Sequence, residues 1–184
     1  VIALATSIGI TRDVAVSALE TARTRSKWRL EVTTGDNDVT VVNDAYNANP
    51  DSMRAALETL AHIGRRRGAP ARTFAVLGEM RELGASSGRE HDAIGRLAAR
   101  LDISQVVAVG DAARQVHLGA AQEDSWDGES LAVPDVESAV SFLRGALRAG
   151  DVVLVKASRA AELEKVALAL LGDPDIGTAT EADA

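Results

Sequence analysis

The sequence predicts a doubly wound α/β fold: a mostly parallel sheet with an N-terminal β-hairpin and helices on both faces. Three observations predict it. Apolar runs of strand length alternate with runs of helical spacing between residues 27 and 171. The strand runs, Val152-Val153-Leu154-Val155 above all, are continuously apolar, the signature of strands covered on both faces by crossover helices. Near the start, Thr34-Gly35-Asp36-Asn37-Asp38 separates two β-rich runs with residues suited to a hairpin turn.

The elements follow in order. Residues 1–22 carry Ile2, Leu4, Ile8, Ile10, Val14, Val16 and Leu19 around Gly9-Ile10-Thr11-Arg12-Asp13, and Thr11 is placed to N-cap a second short helix. That is half of a helical pair. Thr21 to Lys27 is polar and basic, with nothing to bury, and reads as an exposed linker. The hairpin strands are Arg29 to Thr33 and Val39 to Asn43. Pro50 and Asp51 open a helix at Ser52 to Arg66 that repeats Met53, Leu57, Leu60 and Ile63 at helical spacing. Arg65-Arg66-Arg67 closes that helix, where cations suit the dipole, and Gly68 stops it. Beyond it lie strands at 74–77, 106–109, 130–133 and 152–155, each followed by a helix, at 89–100, 112–121, 136–148 and 160–171. Gly172-Asp173-Pro174 stops the last helix, and the acidic residues 172–184 are expected to form a disordered tail. The layout is Rossmann-like.

Composition excludes several function classes. Twenty Lys and Arg against 27 Asp and Glu give a net charge of -7, so no uniform positive field draws this chain to nucleic acid or anionic lipid. Any phosphate must be met locally. With no cysteine, disulfides, thiolate zinc sites and a cysteine nucleophile are all absent, which fits a cytoplasmic protein. The apolar opening VIALATSIGI is too short to span a bilayer. A monomer without nucleic-acid or membrane partners is expected. The chain opens without Met and in mid-pattern, so a longer protein is expected around it.

Ligands of an open α/β sheet bind at the carboxyl ends of its strands. The first such end, Asn43-Asp44-Ala45-Tyr46-Asn47-Ala48-Asn49-Pro50, offers an acid, a phenol and amides to a polar ligand, although isolated Asx residues also make turns and caps. Gly78-Glu79-Met80-Arg81-Glu82-Leu83-Gly84 brings two acids into a loop that a plain left-handed turn also explains. Lys156, Ser158 and Arg159, between a buried strand and a helix N-terminus, make a ready anion site. Neither Gly-x-x-x-x-Gly-Lys-Ser/Thr nor Gly-x-Gly-x-x-Gly occurs. His62, His91 and His117 stand on separate helices with no i,i+4 pair, so no metal site is expected of them.

Taken in order, Asn43 to Met53, Val76 to Gly84 with His91 downstream, Val107 to Gly110 and Val153 to Arg159 resemble the C-terminal domain of the Mur ligases. The resemblance covers residues 27–171, and residues 1–26 look like the tail of that family's central ATPase domain and its hinge. What it implies is an ATP-dependent ligase of bacterial peptidoglycan synthesis whose partners are UDP-N-acetylmuramoyl-tripeptide and D-Ala-D-Ala. ATP phosphorylates a carboxylate of the first, and the amine of the second displaces the phosphate. ATP and Mg2+ would be held mainly by a P-loop domain that this chain does not contain, leaving the chain inactive alone. By the same resemblance Arg29 looks like the catalytic arginine that reaches the γ-phosphate and Asp44 like the acid that contacts the nucleotide. Asn47, Asn49, Lys156, Ser158 and Arg159 would line the dipeptide side. Two alternatives stay open. A free-standing Rossmann-like module that binds a small anion or a protein partner would not open with half of a helical pair. A sibling ligase for folate or cyanophycin would lack the Asn-Ala-Asn-Pro and Lys-Ala-Ser-Arg phrases.

Overall fold

Thirteen helices and strands, with three short 3-10 turns, are described in a computed structural model covering residues 2–21, 27–35, 37–68 and 71–172. The helices are α1 (Ile2–Ser7), α2 (Arg12–Thr21), α3 (Pro50–Arg67), α4 (Ser87–Arg100), α5 (Arg114–Ala120), α6 (Val136–Ala146) and α7 (Glu164–Leu171). The strands are β1 (Glu31–Thr34), β2 (Thr40–Asn43), β3 (Thr73–Leu77), β4 (Gln105–Val109), β5 (Glu129–Val133) and β6 (Val152–Lys156). Residues 22–26 of the expected linker and the expected tail from 173 onward lie outside the described residues.

Continuous apolar strands demand cover on both faces, and the sheet has it. Its order is β1-β2-β6-β3-β4-β5, with β1 antiparallel to β2 and every other pair parallel. Side chains alternate along each strand. Val152 and Leu154 of β6 face α3, α4 and α5 together with Met53, Leu57, Leu60 and Ile94, whereas Val153 and Val155 face α6 and α7 together with Leu143, Leu163 and Val166. Two apolar layers, one on each side of the sheet, therefore hold the fold together.

Two helices start later than the sequence expectation. A 3-10 turn at Asp111–Ala113 precedes α5. Another at Arg159–Ala161, followed by left-handed Glu162 at φ 51°, delays the start of α7 to Glu164. Helix α1 has no buried residue, and Leu4, Ile8, Ile10 and Val14 of the α1–α2 region remain exposed. Among the described residues, no helix is long and apolar enough to cross a membrane.

Insertion of β6 between β2 and β3 brings the two signal-rich strand ends of the sequence side by side, because Asn43 pairs with Val155 and Leu77 with Lys156. The ladder runs on past β2, with the Asp44 N–H donating to the Val155 carbonyl at 2.9 Å.

Candidate active site

Where β2 and β6 end, a groove of about 430 Å³ is lined by Arg29, Asp44, Tyr46, Asn47, Asn49 and Lys156, with Ser52 and Thr59 of α3 on its flank. Its floor is an ion pair. Lys156 is 1% exposed, and its Nζ donates to Asp44 Oδ2 at 2.5 Å and to the Asn47 carbonyl at 2.8 Å. The other Asp44 oxygen, Oδ1, accepts from the Leu30 N–H at 3.1 Å. A buried ammonium needs such partners, since desolvation costs more than any single contact returns.

The sequence assigns Asp44 and Lys156 to opposite sides of the cleft; the fold joins them as partners. Lys156 spends two of its three donors on the protein, so it fixes Asp44 and the 44–47 loop. Asn49 is the N-cap of α3, accepting from the Ser52 N–H at 2.8 Å while its own N–H donates to Ser52 Oγ at 3.1 Å. The Ser158 hydroxyl accepts from the Arg81 N–H at 3.0 Å, and the Ser158 N–H donates to the Glu79 carbonyl at 2.9 Å, so Ser158 ties the β6 end to the β3 end. Asn47 Oδ1 accepts from the next residue's N–H at 2.9 Å, and its exposed carboxamide keeps its donors. The expected anion site at a helix N-terminus is corrected: Lys156 and Ser158 precede a 3-10 turn that Arg159 itself opens, and the N-terminus of α7 comes only at Glu164.

Arg29 and Arg159 are different in kind. Both are exposed, and neither makes an ion pair or side-chain hydrogen bond with a described residue. Each is held by aromatic faces, Arg29 at 4.2 Å from the Tyr46 centroid and Arg159 at 4.7 Å from Trp28 and 5.8 Å from Tyr46. The backbone around Arg29 is strained, with left-handed φ at Trp28 (58°) and Leu30 (49°), a conformation unfavourable to bulky residues. Two contacts hold it: the Tyr46 N–H donates to the Trp28 carbonyl at 3.0 Å, and the Leu30 N–H donates to Asp44.

Glu164 escapes sequence reasoning, as does the structural role of His91. Burial holds the Glu164 carboxyl above the usual carboxylate range despite the nearby Arg159, and its Oε2 has no hydrogen-bond partner among the described residues. His91 is fully buried and structural: Nε2 accepts from the Met80 N–H at 2.9 Å and Nδ1 lies 2.7 Å from the Ser87 carbonyl, which fixes the 78–84 loop on α4. In that loop Gly84 is left-handed as expected, and Gly78 is small because a Cβ would lie 2.8 Å from the Ala157 side chain. For Glu164 no spacing gives a signal. For Trp28 the rarity of aromatics does, since two of only five stand at this groove.

Among the described residues no three His, Asp or Glu side chains gather to hold a metal ion. The groove's donors are guanidiniums, amides and an ammonium already paired, a set that suits an anion.

Residues 28–159 match the Mur ligase, glutamate ligase domain. The chain belongs to the Mur ligase family. This Mur ligase domain is 47% identical, over 96% of its length, to the UDP-N-acetylmuramoyl-tripeptide--D-alanyl-D-alanine ligase of Mycobacterium tuberculosis (strain CDC 1551 / Oshkosh), of which it covers 37%. It is 32% identical to the ligase of the same name from Escherichia coli (strain K12), over 91% of this chain and 34% of that protein. Among solved structures, MurF from Acinetobacter baumannii superposes with a TM-score of 0.74 at 30% identity, over 93% of this chain and 35% of that one. MurF ligase from Thermotoga maritima, in complex with ADP, gives 0.72 at 26% identity, over 94% and 36%. The Mur ligase domain thus spans little more than a third of the length of the relatives it matches.

Proposed function

We propose that this domain is the cleft-closing part of an ATP-dependent amide ligase that joins D-alanyl-D-alanine to UDP-N-acetylmuramoyl-tripeptide in a cytoplasmic, monomeric enzyme. The observation that carries the reading is the pair of guanidiniums, Arg29 and Arg159, standing without an ion pair to any described residue beside a groove floored by Asp44 and Lys156. The names of relatives that align along nearly the whole chain supply the reaction.

In that reaction the γ-phosphoryl of ATP passes to a substrate carboxylate, giving ADP and an acyl phosphate. The dipeptide amine then forms the C–N bond, the C–O bond to phosphate breaks, and the amine loses a proton. Little of this requires covalent help from the protein; orientation and charge stabilisation carry it. Magnesium, supplied with ATP, would screen phosphate charge, and the groove's donor set does not fit it as a resident ion.

Arg29, aimed by its strained backbone and the Tyr46 face, neutralises charge on the transferring phosphoryl. Asp44, held by Lys156 and the Leu30 N–H, presents its remaining acceptor capacity to the nucleotide. Arg159 receives the carboxylate of the dipeptide, and Asn47 offers amide donors beside it. Asn49, Lys156 and Ser158 keep these groups in place. The test is phosphate release by the longer protein that carries this chain, in the presence of ATP, UDP-N-acetylmuramoyl-tripeptide and D-Ala-D-Ala. Release that requires all three supports the proposal, and release indifferent to the dipeptide overturns it.

A further inference from the structure

Two rings and two guanidiniums alternate at the mouth of the groove. Arg159 lies against both Trp28 (4.7 Å) and Tyr46 (5.8 Å), and Arg29 lies against Tyr46 at 4.2 Å, all within the ~6 Å reach of cation–π attraction. The ring faces are what these residues offer. The Tyr46 hydroxyl makes no hydrogen bond with a described residue, and at 37% exposure the ring is not buried as core. The main chain also couples the rings, since Tyr46 N–H donates to the Trp28 carbonyl at 3.0 Å. Two like charges on one ring repel, and neither guanidinium makes an ion pair with a described carboxylate. Without the aromatic faces, long guanidinium side chains would spread over many rotamers in solvent.

We infer that Trp28 and Tyr46 are positioning residues of the cleft: Tyr46 fixes both guanidiniums and Trp28 fixes Arg159 alone. The inference rests on the roles given above to Arg29 and Arg159. It produces an asymmetry that a merely structural role would not. Losing the Tyr46 face disturbs the group that acts on the phosphoryl and the group that holds the dipeptide. Losing the Trp28 face disturbs only the second.

The experiment is steady-state kinetics of the longer enzyme with Tyr46→Leu, Tyr46→Phe, Trp28→Leu, Trp28→Phe, Arg29→Ala and Arg159→Ala, each substrate varied in turn. Exposed cation–π contacts are worth about a two- to fivefold change each. Tyr46→Leu is expected to lower kcat and raise the KM for D-Ala-D-Ala by about that factor, and Trp28→Leu to raise only that KM. The phenylalanine variants, which keep a ring face, are expected to recover most of each loss. The proton resonances of the arginine side chains in the 184-residue chain give a second reading: Tyr46→Leu should move those of Arg29 and Arg159, and Trp28→Leu those of Arg159 alone. If the two arginine variants are impaired while the leucine variants match the parent enzyme, the inference fails and the functional reading stands. Phenylalanine variants as damaged as the leucine variants also overturn it. If Arg29→Ala and Arg159→Ala leave kcat and every KM unchanged, the functional reading of the cations fails and takes the inference with it.

Discussion

Lys156 and Asp44 sit 112 positions apart in sequence and 2.5 Å apart in space, and each is tolerable in its buried place because of the other. Breaking a buried pair by removing one partner typically costs ~3–5 kcal/mol. Asp44 lies at the edge of the groove, where water can reach it, so Lys156→Met is expected near the lower end of that range. Asp44→Asn combined with Lys156→Met should lose less than Lys156→Met alone, as measured by urea unfolding; an additive loss would contradict the coupling. Glu164 carries the opposite sign. Burial raises its pKa in the folded chain above the ordinary 4.5, so the folded state binds its proton more tightly than the unfolded state does. Stability from that proton is complete below pH 4.5 and is lost as pH rises through the folded value. Glu164→Gln should therefore match the parent in acid and exceed its denaturation midpoint at neutral pH. A variant weaker than the parent at neutral pH would mean that the carboxylate has a partner. At this scale sequence reading found the strand-end residues but not their partners. A lysine after a strand reads as ready for a ligand, and nothing local reveals that an aspartate more than a hundred residues earlier already occupies it.

Helices α4 and α5 approach so closely that two of their glycines, Gly95 and Gly119, are obligatory. A Cβ on Gly95 would lie 1.9 Å from the Val116 carbonyl oxygen, and one on Gly119 would lie 2.2 Å from that of Asp92. A mid-helix Gly→Ala change normally gains up to about 1 kcal/mol. Here Gly119→Ala should instead destabilise by ~1–3 kcal/mol through overpacking, read from thermal or urea unfolding. A neutral or stabilising result would contradict the close crossing. Neither glycine is distinguishable in the sequence from a tolerated one, because the crossing that requires it depends on tertiary packing. The strands were legible because period and apolarity are local properties. Helix starts were less so: α7 begins at Glu164, after Glu162 closes a 3-10 turn at φ 51° with its N–H donating to the Arg159 carbonyl. The hairpin was legible from its turn residues, and β1 pairs with β2 as those residues require.

Across the molecule, the order β1-β2-β6-β3-β4-β5 creates the groove, since only the insertion of β6 next to β2 brings Lys156 to Asp44. The doubly wound class was legible in the strand composition; the position of β6 was not, because parallel strands of similar composition are interchangeable to a reader of one sequence. Stability is distributed unevenly as a result. Strands β2, β3, β4 and β6 are wholly buried and α1 not at all, so amide exchange should be slowest in those strands and fast throughout α1. Protection of α1 equal to that of β6 would contradict this. The account's central claim is that the cleft does its chemistry through Arg29, acting on charge that develops during phosphoryl transfer. Its most direct test is the steady-state kinetics of Arg29→Ala in the longer enzyme. Loss of a transition-state donor of this kind typically lowers kcat by ~10²–10³-fold, and the KM for ATP should change far less. An unchanged kcat, or an equal loss confined to the KM for ATP, would contradict it.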